Sequence, residues 1–173
     1  MTREIPESHP LDRMFRGLTE ATFLAELGIG DPGLVGYVAR LLARFVPGEP
    51  VGAILDDRGR RAAPVVAMLA EAESATDEAR RREGHRHVGD FTLFWTGVYP
   101  EALPRLRAAG SADALIDFRA QGKRSYYLAS AGLGDEAPVL RRLSEEFDVC
   151  ALGLSLVRRE WERVAAPGPI FGA

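Results

Sequence analysis

His87 and Asp90, three residues apart within "GHRHVGDFTLFWTGVYPE" (84–101), are the residue types best suited to chemistry in this chain. An imidazole one helical turn from a carboxylate can act as a base with its orienting group. The same spacing also suits a core histidine satisfied by a hydrogen bond, the commoner fate of a buried polar group. On a helix advancing about 100° per residue, Gly84, His87, Val88, Phe91, Phe94, Trp95 and Val98 share one side. The pattern thus predicts a buried His87, with Glu83 four residues before it and Asp90 three after it in reach of the ring. A ligand pocket built there would be lined by His87, Asp90, Phe91, Trp95, Tyr99 and, from another helix, Tyr126. Such a lining would take a small apolar or tetrapyrrole-like molecule. Proton transfer would require a partner such as Tyr99, Lys123 or Tyr126.

The other chemical candidates are weaker. The histidines are His9, His85 and His87, with His85 directed away from His87, and no Glu-x-x-His unit of the di-iron bundles occurs. No metal and no cofactor is therefore expected. Cys150 falls in an apolar seam and reads as a small core hydrophobe. "QGKRS" (121–125) lacks the upstream glycine of a phosphate-binding loop and has Arg124 where Ser or Thr should follow the lysine. Arg80, Arg81, Arg82, His85 and Arg86 form a basic run that reads as a solvated helix face beside Glu78 and Glu83. No catalytic residue is assigned, and the balance leans against an enzyme.

The elements that must position these residues are helical. Pro10 opens a helix to about Leu27, stopped by Gly28 and Gly30, and Asp31–Pro32 caps and starts a second that carries Leu34, Val38, Leu41 and Phe45. Residues 46–64 read as a long connection around the apolar run Val51–Leu55. Between 64 and 98 one helix or two fit; Asp77 and Glu78 favour a second start, and Pro100 ends it. A short helix runs from Pro100 to about Ala108. Ser111 caps the next, with Leu115, Phe118, Gly122, Ser125, Tyr126 and Ala129 on one side. From Pro138, the residues Leu140, Leu143, Phe147, Cys150, Leu154, Val157 and Trp161 predict one continuous helix buried along a seam.

The expected architecture is an all-α, single-domain bundle of five to seven helices over 10–164, between a flexible N-terminus (1–9) and a C-terminal tail (165–173). The chain of 173 residues carries 22 basic and 25 acidic residues, a net charge of −3. No global field draws it to polyanions, so no nucleic acid is expected. One cysteine forms no internal disulfide, and no stretch reads as a secretory leader or membrane span, which together suggest a cytoplasmic protein.

"HVGDFTLFWTGVYPE", "GKRSY" and the arginine-bearing last helix resemble a group of bacterial proteins of about this length, over His9 to Arg163. The resemblance implies a single domain and transfers no catalytic residue, because that group carries no assigned activity. The functional expectation is a non-catalytic module acting through a protein partner or as a homo-oligomer. Tryptophan and arginine near the end of the chain, Trp161 beside Arg158 and Arg159, are residue types enriched at interfaces.

Overall fold

A computed structural model of the chain describes residues 10–45 and 63–165. Among them are eight α-helices, one 3₁₀ turn and no strand: α1 (Pro10–Leu27), α2 (Pro32–Phe45), α3 (Val65–Glu73), α4 (Glu78–Val98), the turn Pro100–Ala102, α5 (Leu103–Leu106), α6 (Phe118–Ala129), α7 (Ala137–Glu145) and α8 (Phe147–Ala165). The all-α class holds, with one helix more than the expected upper bound. The N-terminal segment, most of the 46–64 connection with Val51–Leu55, and the tail after residue 165 lie outside the described residues. No helix among the described residues is long and apolar enough to cross a membrane.

Local signals set most boundaries. Gly28 adopts a φ of 67°, and the Ile29 N–H donates to the Phe23 carbonyl at 3.0 Å, closing α1 with the left-handed stop that glycine accommodates without a Cβ penalty. Asp31 accepts from the Gly33 N–H at 3.0 Å ahead of α2, and Asp77 accepts from the Arg80 N–H at 2.8 Å ahead of α4. Residues 64–98 therefore form two helices.

Two boundaries differ from expectation. Ser111 lies in a turn and caps no helix; Asp117 caps α6, accepting from the N–H groups of Arg119 and Ala120, and Leu115 is left fully in solvent. The predicted last helix is divided at Glu146, which leaves helical geometry with φ −107° and ψ 24°. The division has a packing cause. α7 lies on α6, whereas α8 crosses to α4 and α1, so one straight rod could not reach both. The seam itself is buried from Leu140 to Val157, with Trp161 half-buried and edge-on to Phe15.

α4 organises the bundle. It packs against α6, α8, α3 and α2, and each residue from Val88 to Val98 is buried. Its glycines mark where neighbours come closest: a Cβ on Gly89 would meet the Tyr126 ring at 2.7 Å, and one on Gly97 would meet Leu154 at 2.8 Å. A helix enclosed on several sides has no single apolar face, which is why a one-sided wheel misplaces some of its residues.

Candidate functional site

The strongest polar constellation is centred on Asp90, whose side chain is only 4% exposed. Its Oδ1 accepts from the Tyr37 hydroxyl at 2.7 Å and from the Tyr126 hydroxyl at 2.8 Å. Its Oδ2 accepts from Arg44 Nη2 at 2.8 Å. The Tyr37 hydroxyl in turn accepts from Arg86 Nε at 3.1 Å. One carboxylate thereby joins α2, α4 and α6. The helices present these groups by simple spacing, since Tyr37 and Arg44 lie two turns apart on one side of α2 and Arg86 lies one turn before Asp90 on α4.

The electrostatics of the cluster favour holding over reacting. Burial, then the neighbouring Asp90 charge, raises both Tyr37 and Tyr126 well above the ordinary tyrosine range, so both remain donors. Burial disfavours the charge on Arg44, but Asp90 and Tyr37 outweigh it and the guanidinium is held more firmly charged than usual. Arg86 behaves likewise through Tyr37 and Asp90, and it also pairs with Glu136 at 3.2 Å and Glu83 at 3.5 Å. A base needs a lone pair facing a space where substrate can sit. Here the carboxylate faces three donors inside packed protein.

Of the residues predicted to line a site, Asp90 and Tyr126 do meet. Phe91, Trp95 and Tyr99 share an aromatic cluster: Phe91 lies 6.2 Å from Trp95, and Trp95 lies 5.7 Å from Tyr99, by ring centroids. Phe118, Phe94 and Phe45 fill the space around them. Trp95 Nε1 is buried with no hydrogen-bond partner among the described residues. His87 is a correction. It is half-buried, and the deeply buried histidine is His85, at 2% exposure. The rotation of α4 is set by its close approach to Ala72 at Gly84 and to Tyr126 at Gly89, which turns His85 inward.

His85 Nε2 lies 3.1 Å from Glu73 Oε1, and Glu73 Oε2 accepts from Arg81. The rest of the basic run is largely paired on the surface, Arg80 with Asp77 and Arg81 also with Glu78. Burial, then the Glu146 charge, pushes the Cys150 thiol up to about 12, so it is not a nucleophile at neutral pH. Among the described residues, no group of three or more His, Cys, Asp or Glu is arranged to hold a metal ion.

Tyr37, Arg44 and Asp113 escaped the sequence reading. An arginine two turns from a tyrosine on the apolar side of α2 was the available signal, because a buried guanidinium requires an anionic partner. Asp113 had no comparable signal. Its buried carboxylate accepts from the backbone N–H groups of Val65 at 2.8 Å and Val66 at 3.0 Å, capping α3 from 48 and 47 residues away in sequence. An open cleft of about 220 Å³ lies between α4 and the α6–α7 connection, lined in part by Arg82, Arg86, Leu133 and Glu136. No family model matches the chain, and comparison with curated proteins and with solved structures gives no match.

Proposed function

We propose that the chain is a non-catalytic assembly module working through protein contacts, with a second copy of itself as the partner. The observation that carries this reading is an exposed apolar group on two adjacent helices: Leu24 of α1 (61% exposed) with Val149 (40%) and Leu152 (53%) of α8. Gly153 faces Phe23 and Leu27, so α1 crosses α8 one residue along from Leu152 and one from Leu24. Farther along α8, Arg159, Glu160, Glu162 and Arg163 provide both signs of charge, and a net charge of −3 leaves little self-repulsion. The buried cysteine and the resemblance to bacterial proteins support a reducing bacterial cytosol as its setting.

Sedimentation velocity with light scattering over a range of concentrations tests this reading. The expected result is a reversible dimer that Leu152→Glu shifts to monomer while helix content is kept. A wild-type chain that stays monomeric throughout overturns it. The rival reading, a small-molecule bundle with a pocket near His87, has less support because Phe91 and Tyr126 are packed against other rings. Its best observation is the buried Trp95 Nε1, without a hydrogen-bond partner among the described residues, and a stoichiometric added mass in native mass spectrometry would restore it.

A further inference from the structure

Among the described residues, α3 is the most weakly integrated of the longer helices, because α4 is its principal helical neighbour. Three features among those residues hold it. Its first N–H groups are capped by Asp113, its middle is pressed against α4 where Ala72 meets Gly84, and its last turn is tied by Glu73 to His85 and Arg81. We propose that α3 is an acid-released strap: the His85–Glu73 contact holds it on α4 while His85 is neutral, and protonation of His85 lets it lift and uncover the apolar surface beneath.

The hydrogen-bond inventory around His85 supplies the reason. Its side chain is 3% exposed, and its Nδ1 is buried with no hydrogen-bond partner among the described residues. In the neutral ring, Nε2–H donates to Glu73 and Nδ1 is an uncharged acceptor. In the charged ring Nδ1 becomes a second donor with no acceptor, a costly arrangement in packed protein. Among the described residues, Glu73 of α3 is the negative group paired with that ring. It is half exposed and shared with Arg81 of α4, while Arg124 of α6 adds positive potential.

Burial therefore outweighs the attraction of Glu73 and lowers His85 below the ordinary histidine range. Above about pH 6.5, the usual histidine value, the docked and lifted states are both neutral and the strap is fully held. As pH falls, the lifted state takes up the proton first, so docking weakens from that value down toward the lowered one of the docked ring. Lifting would expose Val65, Met68 and Ala72, all buried in the docked helix.

Hydrogen exchange of the whole chain, read by mass spectrometry at about pH 7.5 and about pH 5.5 and corrected for intrinsic rates, brackets the histidine range. Peptides over 65–76 should lose protection in acid while those over 88–98 and 147–157 keep theirs. His85→Gln, whose amide can donate to Glu73 but cannot titrate, should abolish the difference. Equal protection of 65–76 at both pH values, uniform loss across all helices, or the same loss in H85Q overturns the strap. Should H85Q fail to fold, the imidazole titration of wild-type His85 by NMR decides instead, and a midpoint at the ordinary histidine value overturns it.

Discussion

The two deeply buried ionisable groups of α4, Asp90 and His85, lie five residues apart and are held in opposite ways. Asp90 accepts from three side chains on two other helices, so separating any pair of those helices strands a buried charge or hydroxyl. Among the described residues, His85 has one half-exposed partner and its other nitrogen has none. A carboxylate surrounded by donors locks a bundle together, whereas an imidazole satisfied on one side makes its attachment conditional. Both groups would count simply as buried, yet their partners give them different consequences.

The largest effect should come from Asp90→Ala. It leaves Arg44 and two tyrosine hydroxyls without their acceptor and should cost about 3–5 kcal/mol, the range for breaking a buried charge pair. Typical domains have only about 5–15 kcal/mol of stability, so urea unfolding should show a large fall in midpoint. A near-wild-type midpoint would mean that the cluster does not lock the helices, and the contrast with His85 would collapse.

Gly89→Ala tests the lock by geometry, since its new Cβ meets the Tyr126 ring. A loss of about 1–3 kcal/mol is expected from such overpacking. No loss would show that α6 can move away without disturbing the Tyr126–Asp90 bond. Asp113→Ala removes the cap of α3 and should cost about 1–2 kcal/mol. Its signature is local: hydrogen exchange should quicken over 65–73 with the Asp90 region unchanged, and a global loss would show that α3 is no separate unit.

The smallest effect belongs to a surface carboxylate. Hydrogen bonds from Lys123 and Arg119 hold Asp148 below the ordinary carboxylate range. Their stabilisation is present above the unfolded value of about 3.9 and lost as pH falls toward the lower folded one. Asp148 is half exposed, so Asp148→Asn should change neutral-pH stability by less than about 1 kcal/mol in thermal unfolding. A larger change would raise surface pairs to the rank of the buried cluster.

Much of the local framework was legible. Pro10, Asp31–Pro32, Asp77 and Pro100 marked starts and stops that the helices observe, since capping and proline sterics act within a few residues. The pairing of Asp90 with Tyr126 was anticipated only as two residues of one lining. Tyr37 and Arg44, which complete the cluster, were missed because their role depends on how α2 lies against α4. Ser111 is as competent a cap for α6 as Asp117 by side-chain chemistry, and where the intervening turn ends is a matter of tertiary fit.

From its sequence alone this chain was determined to be helical, with most breaks in place and an apolar seam from Leu140 to Val157 that is indeed buried. Those properties follow from short-range sterics, capping and periodicity. Tertiary structure alone decided that the seam bends at Glu146, that His85 rather than His87 turns inward, and that Asp113 caps a helix far from it in sequence. Each depends on which surfaces approach most closely, and a helix enclosed by several neighbours takes its rotation from the tightest contacts around it.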